Sequence, residues 1–205
     1  MKRLAMVALA ILASGSFLTA SADSTALDSS ATNTSNNSGF ATQNITSNPA
    51  WATALAGSNW VSFANTGNPS TPGFVVLANG ANAVFSQTFN LSGTITSATI
   101  SVLADDTSSL VVNGTTVYAA ALGGSYPTCS SVQIGCLTTT EGTFNIAPYL
   151  VDGSNTISFD VYQENGSSYG LDYAGAVTTT PEPGVLMMLG SGLFGLGLLK
   201  RRKIS

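Results

Sequence analysis

From Asp23 to Thr180 the chain carries nine carboxylates, two cysteines and no Lys, Arg or His. No carboxylate in that stretch can form a salt bridge, so each must be hydrated, hydrogen-bonded or bound to a cation. The missing residue types exclude whole classes of chemistry. A Ser or Cys nucleophile has no His or Lys base to activate it. Zinc sites of the His or multi-Cys kind lack ligands. Nucleic acid is excluded as a partner because phosphate contacts need Lys and Arg.

Among the carboxylates, Asp105 and Asp106 stand out because they are adjacent, followed by Thr107, at the end of an apolar strand pattern. Asp and Thr in that position first of all terminate a strand and bond the turn backbone. The second role their oxygens offer is Ca²⁺ ligation, joined by a backbone carbonyl and by Asp152 or Asp172 from another loop. No other cofactor is expected. Glu141 and Glu164, the two glutamates of the body, would be the acid and nucleophile of a glycosidase, but loops rich in Gly and Ser, with no supporting Arg or His, read as solvated acids. Cys129 and Cys136 read as a disulfide, since a catalytic thiol needs a cationic neighbour and the body has none. An eight-residue loop closed this way gains about 2.5 kcal/mol from restricting the unfolded chain. Tyr126, Tyr149, Tyr162, Tyr169, Tyr173 and the two Trp residues are core formers first and sugar platforms second.

The elements that position these groups are short and β-rich, punctuated by Gly, Asn, Pro and Asp. Strands are expected at NWVSFA (59–64), GFVVLA (73–78), AVFSQTFNL (83–91), TITSATISVLA (94–104), SLVVN (109–113), TTVYAA (115–120), GTFNIAPYL (142–150), NTISFDVYQE (155–164) and YGLDYAGAV (169–177). Ile157, Phe159 and Val161 alternate cleanly with Ser158, Asp160 and Tyr162, a half-buried strand. Asn113-Gly114 supplies the two positive φ angles of a type I′ hairpin turn. Only PAWATALA (49–56) hints at a helical period. Eight or nine strands without a crossover helix predict one antiparallel β-sandwich. Residues 23–48 are Ser, Thr and Asn with few large apolar side chains, so they read as a loose leader or a mobile first edge.

The order of these elements resembles a jelly-roll β-sandwich of the galactose-binding-like kind. The likeness rests on an early W-x-x-F (Trp60 to Phe63), the strand into Ala104-Asp105-Asp106, the L-V-V-N-G hairpin, F-N-I-A-P-Y-L, G-S-N-T-I-S-F-D-V and the strand after Y-G-L-D-Y. It implies the fold far more than any function.

Both termini carry export signals. Met1-Lys2-Arg3, the apolar stretch from Leu4 to Leu18 and Ala20-Ser21-Ala22 have the layout of a signal peptide over 1–22. At the other end Pro181-Glu182-Pro183 precedes an apolar segment, 185–199, and then Lys200, Arg201, Arg202 and Lys203. A basic cluster after an apolar segment holds the charges on the cytoplasmic side, with the body outside. Fifteen residues as a helix span about 22 Å, short of the roughly 30 Å hydrocarbon core, which suits a transient span better than a permanent anchor. Over 179–205 this tail resembles the PEP-CTERM sorting signal. The resemblance implies an exosortase-like membrane protease as partner and transient anchoring in the inner membrane before cleavage.

The domain layout expected is therefore signal peptide 1–22, leader 23–48, sandwich 49–178 and sorting signal 179–205. The function expected is that of an exported, non-enzymatic protein of the cell surface or of an extracellular polysaccharide matrix. The alternative is a carbohydrate-binding module on the same fold, assisted by Ca²⁺ at Asp105 and Asp106. Polysaccharide binding separates the two.

Overall fold

The computed structural model describes residues 22–122, 127–164 and 166–181. All of them belong to one unit, Ala22–Glu182. Tyr126, Glu182, Pro183, the apolar segment 185–199, the cluster Lys200 to Lys203 and the signal peptide before Ala22 lie outside the described residues.

In chain order the strands are β1 (Asp23–Asp28), β2 (Ser35–Asn36), β3 (Gln43–Asn44), β4 (Val61–Ser62), β5 (Asn82–Leu91), β6 (Thr94–Asp105), β7 (Thr107–Ser108), β8 (Leu110–Val112), β9 (Thr115–Tyr118), β10 (Gly142–Asn145), β11 (Gly153–Tyr162) and β12 (Gly170–Thr180). They form two antiparallel sheets. The first runs β10-β6-β12-β4-β3 and the second β2-β5-β11-β8-β9, with β1 added beside β12 and β7 beside β11. The all-β, two-sheet sandwich expected from the strand pattern is the fold observed.

Period-two alternation decides which side chains meet between the sheets. In β5, Ala83, Phe85, Phe89 and Leu91 point inward, and in β11 Ile157, Phe159 and Val161 do the same. The two strands pair without a break from Gly153↔Leu91 to Tyr162↔Asn82. Opposite them, β6 contributes Ala98, Ile100, Val102 and Ala104, and β12 contributes Leu171, Tyr173 and Val177. Phe159 and Tyr173 stack across the gap with ring centroids 4.5 Å apart, which ties one sheet to the other. The Asn113-Gly114 turn has φ of 50° and 79°, the left-handed pair that a type I′ hairpin requires.

Several segments differ from expectation. Residues 73–78 are apolar but form no strand: Val75 N–H bonds the Asn65 carbonyl, Asn65 Nδ2 also ties down Thr71 and Pro72, and Val75 and Val76 are exposed. Local loop bonds satisfy that backbone in place of a ladder. Residues 49–56 form no helix either. The polar stretch 23–48 contributes to the sheets. β1 pairs with β12 along its whole length, from Asp23↔Thr179 to Asp28↔Ala174, and Leu27 enters the core at 1% exposure. Six ladder pairs and one buried leucine secure an edge strand that composition alone makes look unstructured.

Candidate functional site

Asp105 ends β6 in the first sheet, and Thr107 begins β7, which pairs with β11 of the second. Asp106 is thus the corner at which the chain crosses between sheets. The peptide joining Asp105 to Asp106 is cis. Asp106 N–H donates to the Tyr162 carbonyl at 3.0 Å, and its Oδ2 accepts from Glu164 N–H at 2.8 Å. The pair does terminate a strand and bond turn backbone, as Asp and Thr at that position should.

Asp105 does more than this. Ala98, Ile100, Val102 and Ala104 face the core, so Leu103 and Asp105, of opposite parity, lie on the outer face of the first sheet. That face is covered. Trp51, Trp60, Leu103 and Cys136 make a second buried cluster, joined by Ile45, Ala52, Leu55, Cys129 and Leu137. Trp51 and Trp60 pack with centroids 4.3 Å apart. Trp60 Nε1–H donates to the Ala52 carbonyl at 3.1 Å, and Trp51 Nε1–H donates to Asp105 Oδ2 at 2.6 Å.

Cys129 and Cys136 form the expected disulfide, with Cα atoms 5.0 Å apart. Its loop is stitched to both neighbours, through Ala104 N–H to the Gly135 carbonyl at 2.9 Å and Ala52 N–H to the Cys136 carbonyl at 2.7 Å. Gly135 is required there, since a Cβ would lie 1.9 Å from the Cys129 carbonyl oxygen. Cys136 is buried and Cys129 half-buried. Both sulfurs and a carboxylate oxygen of Asp105 lie within 4.8 Å of one another.

These groups wall a cavity of about 390 Å³, whose lining includes Trp51, Asp105, Asp106, Cys129 and Cys136. Asn48, Thr128, Ser130 and Ser167 add polar groups to it. The volume falls within the roughly 300–1,000 Å³ of small-ligand sites.

The electrostatics of Asp105 follow from its surroundings. At 4% exposure, burial pushes its pKa up to about 9; the neighbouring Asp106 charge adds to the shift and the indole hydrogen bond opposes it. The carboxyl is therefore protonated at neutral pH. The indole N–H occupies Oδ2, and Oδ1 is buried with no hydrogen-bond partner among the described residues, an unused polar group at the cavity wall.

The other carboxylates considered from sequence are elsewhere. Asp172 is fully buried and saturated: Oδ1 accepts from Ser29 Oγ at 2.9 Å and Ser58 Oγ at 2.5 Å, and Oδ2 accepts from Leu55 N–H at 2.8 Å. Burial raises its pKa and these three donors counteract the rise. Asp152 accepts from Gly93 N–H at the β5–β6 turn. Neither lines the cavity, nor do Glu141 and Glu164. Tyr169 and Tyr173 are fully buried, and among the described residues Trp51 is the aromatic that lines the cavity. The contact of Asp105 with the disulfide is what sequence reasoning missed. Its signal was the parity of Leu103 and Asp105, an apolar residue and an acid on the face that an amphipathic strand leaves to solvent.

The sandwich defines the class, an all-β domain with a corner cavity. Its C-terminal strand then runs into a PEP-CTERM protein-sorting motif that matches residues 179–203. No curated protein matches the chain. Among solved structures, an α-L-rhamnosidase from Dictyoglumus thermophilum aligns at 15% identity and TM-score 0.38 over 50% of this chain. One from Streptomyces avermitilis aligns at 24% and 0.42 over 65%. This chain spans 12% of each of those two enzymes. A family 35 carbohydrate binding module from Clostridium thermocellum aligns at 16% identity and TM-score 0.39, covering 74% of this chain and 97% of that one.

Proposed function

We propose that this chain is an exported, non-enzymatic protein, addressed by its C-terminal motif to the cell surface or an extracellular matrix, and that its corner cavity binds carbohydrate there. An exosortase-like protease releases it from transient membrane anchoring. The observation that carries the binding reading is Asp105 Oδ1, a buried oxygen with no hydrogen-bond partner among the described residues, at the wall of a cavity of ligand size. A saccharide hydroxyl pairs with that oxygen, and the amide and hydroxyls of Asn48, Thr128, Ser130 and Ser167 offer the mixed donors and acceptors that a polyhydroxylated ligand matches.

Incubation of the oxidised protein with a panel of polysaccharides tests this. Selective, saturable retention on some of them is expected. Asp105→Leu, which removes that oxygen at similar volume, should abolish retention, whereas Asp105→Asn, which keeps a polar group there, should retain most of it. Absence of selective retention across the panel, or retention indifferent to Asp105→Leu in a protein that still folds, overturns the carbohydrate reading and leaves a structural surface protein.

A further inference from the structure

Counting ligand types along the sequence leaves no room for a zinc site, because two cysteines are too few. The fold supplies a third donor. Asp105 and both sulfurs lie within 4.8 Å of one another, close enough for small side-chain shifts to bring them to the roughly 3.6–3.8 Å edges of a tetrahedral ligand set with Zn–S of about 2.3 Å and Zn–O of about 2.0–2.2 Å. The Cα separation of 5.0 Å leaves the sulfurs free to part to that spacing once the bridge opens. Trp51 Nε1–H already fixes the carboxyl through Oδ2, the kind of outer hydrogen bond that orients a metal-bound carboxylate. The second carboxyl oxygen, Oδ1, is buried and unpartnered. The half-buried Cys129 lines the cavity, so a reductant can reach it. With no Lys, Arg or His between Asp23 and Thr180, no protein cation competes for the three ligands.

We propose that reduction of the Cys129–Cys136 bridge converts this wall of the cavity into a divalent-metal site of the Zn²⁺ class, held by Cys129 Sγ, Cys136 Sγ and the Asp105 carboxylate, with the fourth position open to the cavity. The reductant is a dithiol. One of its thiolates attacks Cys129 Sγ, the S–S bond breaks and Cys136 leaves as a thiolate. The second thiolate of the reductant then displaces Cys129 from the mixed disulfide. Two electrons pass to the protein, the reductant becomes a disulfide, and its two protons end on the cysteines. The incoming ion displaces those two protons and the Asp105 proton, binding two thiolates and one carboxylate. Disulfide and metal are alternative cross-links of one loop, so the chain carries one or the other according to the thiol poise around it. The site shares Asp105 and this cavity with the proposed carbohydrate contact, but metal binding is read on the reduced chain and does not require that the oxidised protein bind sugar.

The test uses the full-length chain in detergent micelles, oxidised or reduced with a phosphine that leaves no competing thiol. Cd²⁺ is followed by its thiolate charge-transfer absorption, and Zn²⁺ by competition with a chromophoric chelator. The reduced chain should bind a single ion and show the thiolate band, and the oxidised chain should do neither. Asp105→Asn keeps an acceptor for the indole N–H, so far-ultraviolet circular dichroism should stay unchanged while Zn²⁺ affinity in the reduced form falls at least about tenfold. Absence of the band in the reduced chain, equal binding by the oxidised chain, or unaltered affinity in Asp105→Asn overturns the proposal. Loss of the β-sheet signal on reduction that the metal does not restore also overturns it.

Discussion

Asp172 and Asp105 are both buried under the loop that carries Trp51 and Leu55, yet they are opposite in chemistry. Asp172 sits opposite Leu103 in the β6–β12 ladder and receives three donors, two hydroxyls and a backbone N–H. Asp105 receives one donor, leaves an oxygen unused and faces the cavity. Burial alone therefore does not mark a functional carboxyl. Saturation separates the two: a carboxylate whose oxygens are all bonded holds the structure together, and one with an idle oxygen beside open space is available to a ligand.

The comparison breaks most visibly at Asp172. Asp172→Ala leaves Leu55 N–H without its acceptor, while Ser29 Oγ and Ser58 Oγ keep the Asn59 and Leu55 carbonyls; at roughly 1–3 kcal/mol for a buried group left unpaired, together with the space the carboxyl vacates, the fold should lose about 3–4 kcal/mol. Urea denaturation measures it. A loss under about 1 kcal/mol would mean that water replaces the carboxylate and that saturation does not identify a structural role.

Asp105 should respond in the opposite direction. Its folded pKa of about 9 stands above its ordinary value of 3.8. Stability from this group is therefore complete below about pH 4 and declines as pH rises toward 9, because the unfolded chain gives up the proton first. Asp105→Asn removes that decline. The variant should match the parent near pH 4 and exceed it at pH 7 by on the order of 2–4 kcal/mol. Chemical denaturation of both proteins at several pH values checks this, and parallel curves would show that Asp105 is ionised in the folded state.

Much of this frame is legible in the sequence, and the limits have physical causes. Local signals carried through where the interaction is local: Asn113-Gly114 makes its turn, and the alternation of Ile157, Phe159 and Val161 makes its strand. The expected Cys129–Cys136 bridge spans seven positions and formed. Signals were weakest where partners are remote. β1 has one buried leucine of its own and depends on β12, some 150 positions away. GFVVLA has strand composition but no ladder partner. Asp105 meets Trp51 across 54 positions and the cysteines across a separate loop, and no local pattern encodes either contact.

Calcium at Asp105 and Asp106 gives the smallest expected effect and sharpens the comparison furthest. An ion entering the cavity at Asp105 must displace its proton, so binding should strengthen as pH rises toward 9, opposite to what an already ionised loop site would show. At a Ca²⁺ concentration about ten times Kd, the gain is RT ln(1 + [L]/Kd), about 1.4 kcal/mol. Melting temperatures with and without millimolar Ca²⁺ should therefore differ little at pH 6 and more at pH 8.5. Asp105→Asn should erase the pH dependence. The same ion has no opening at Asp172, where every oxygen is taken, so Asp172→Asn should leave the calcium response intact while lowering the baseline melting temperature. A calcium shift that is equal at both pH values and survives Asp105→Asn would be diffuse screening of an acidic surface, and the idle oxygen of Asp105 would then be reserved for an uncharged ligand.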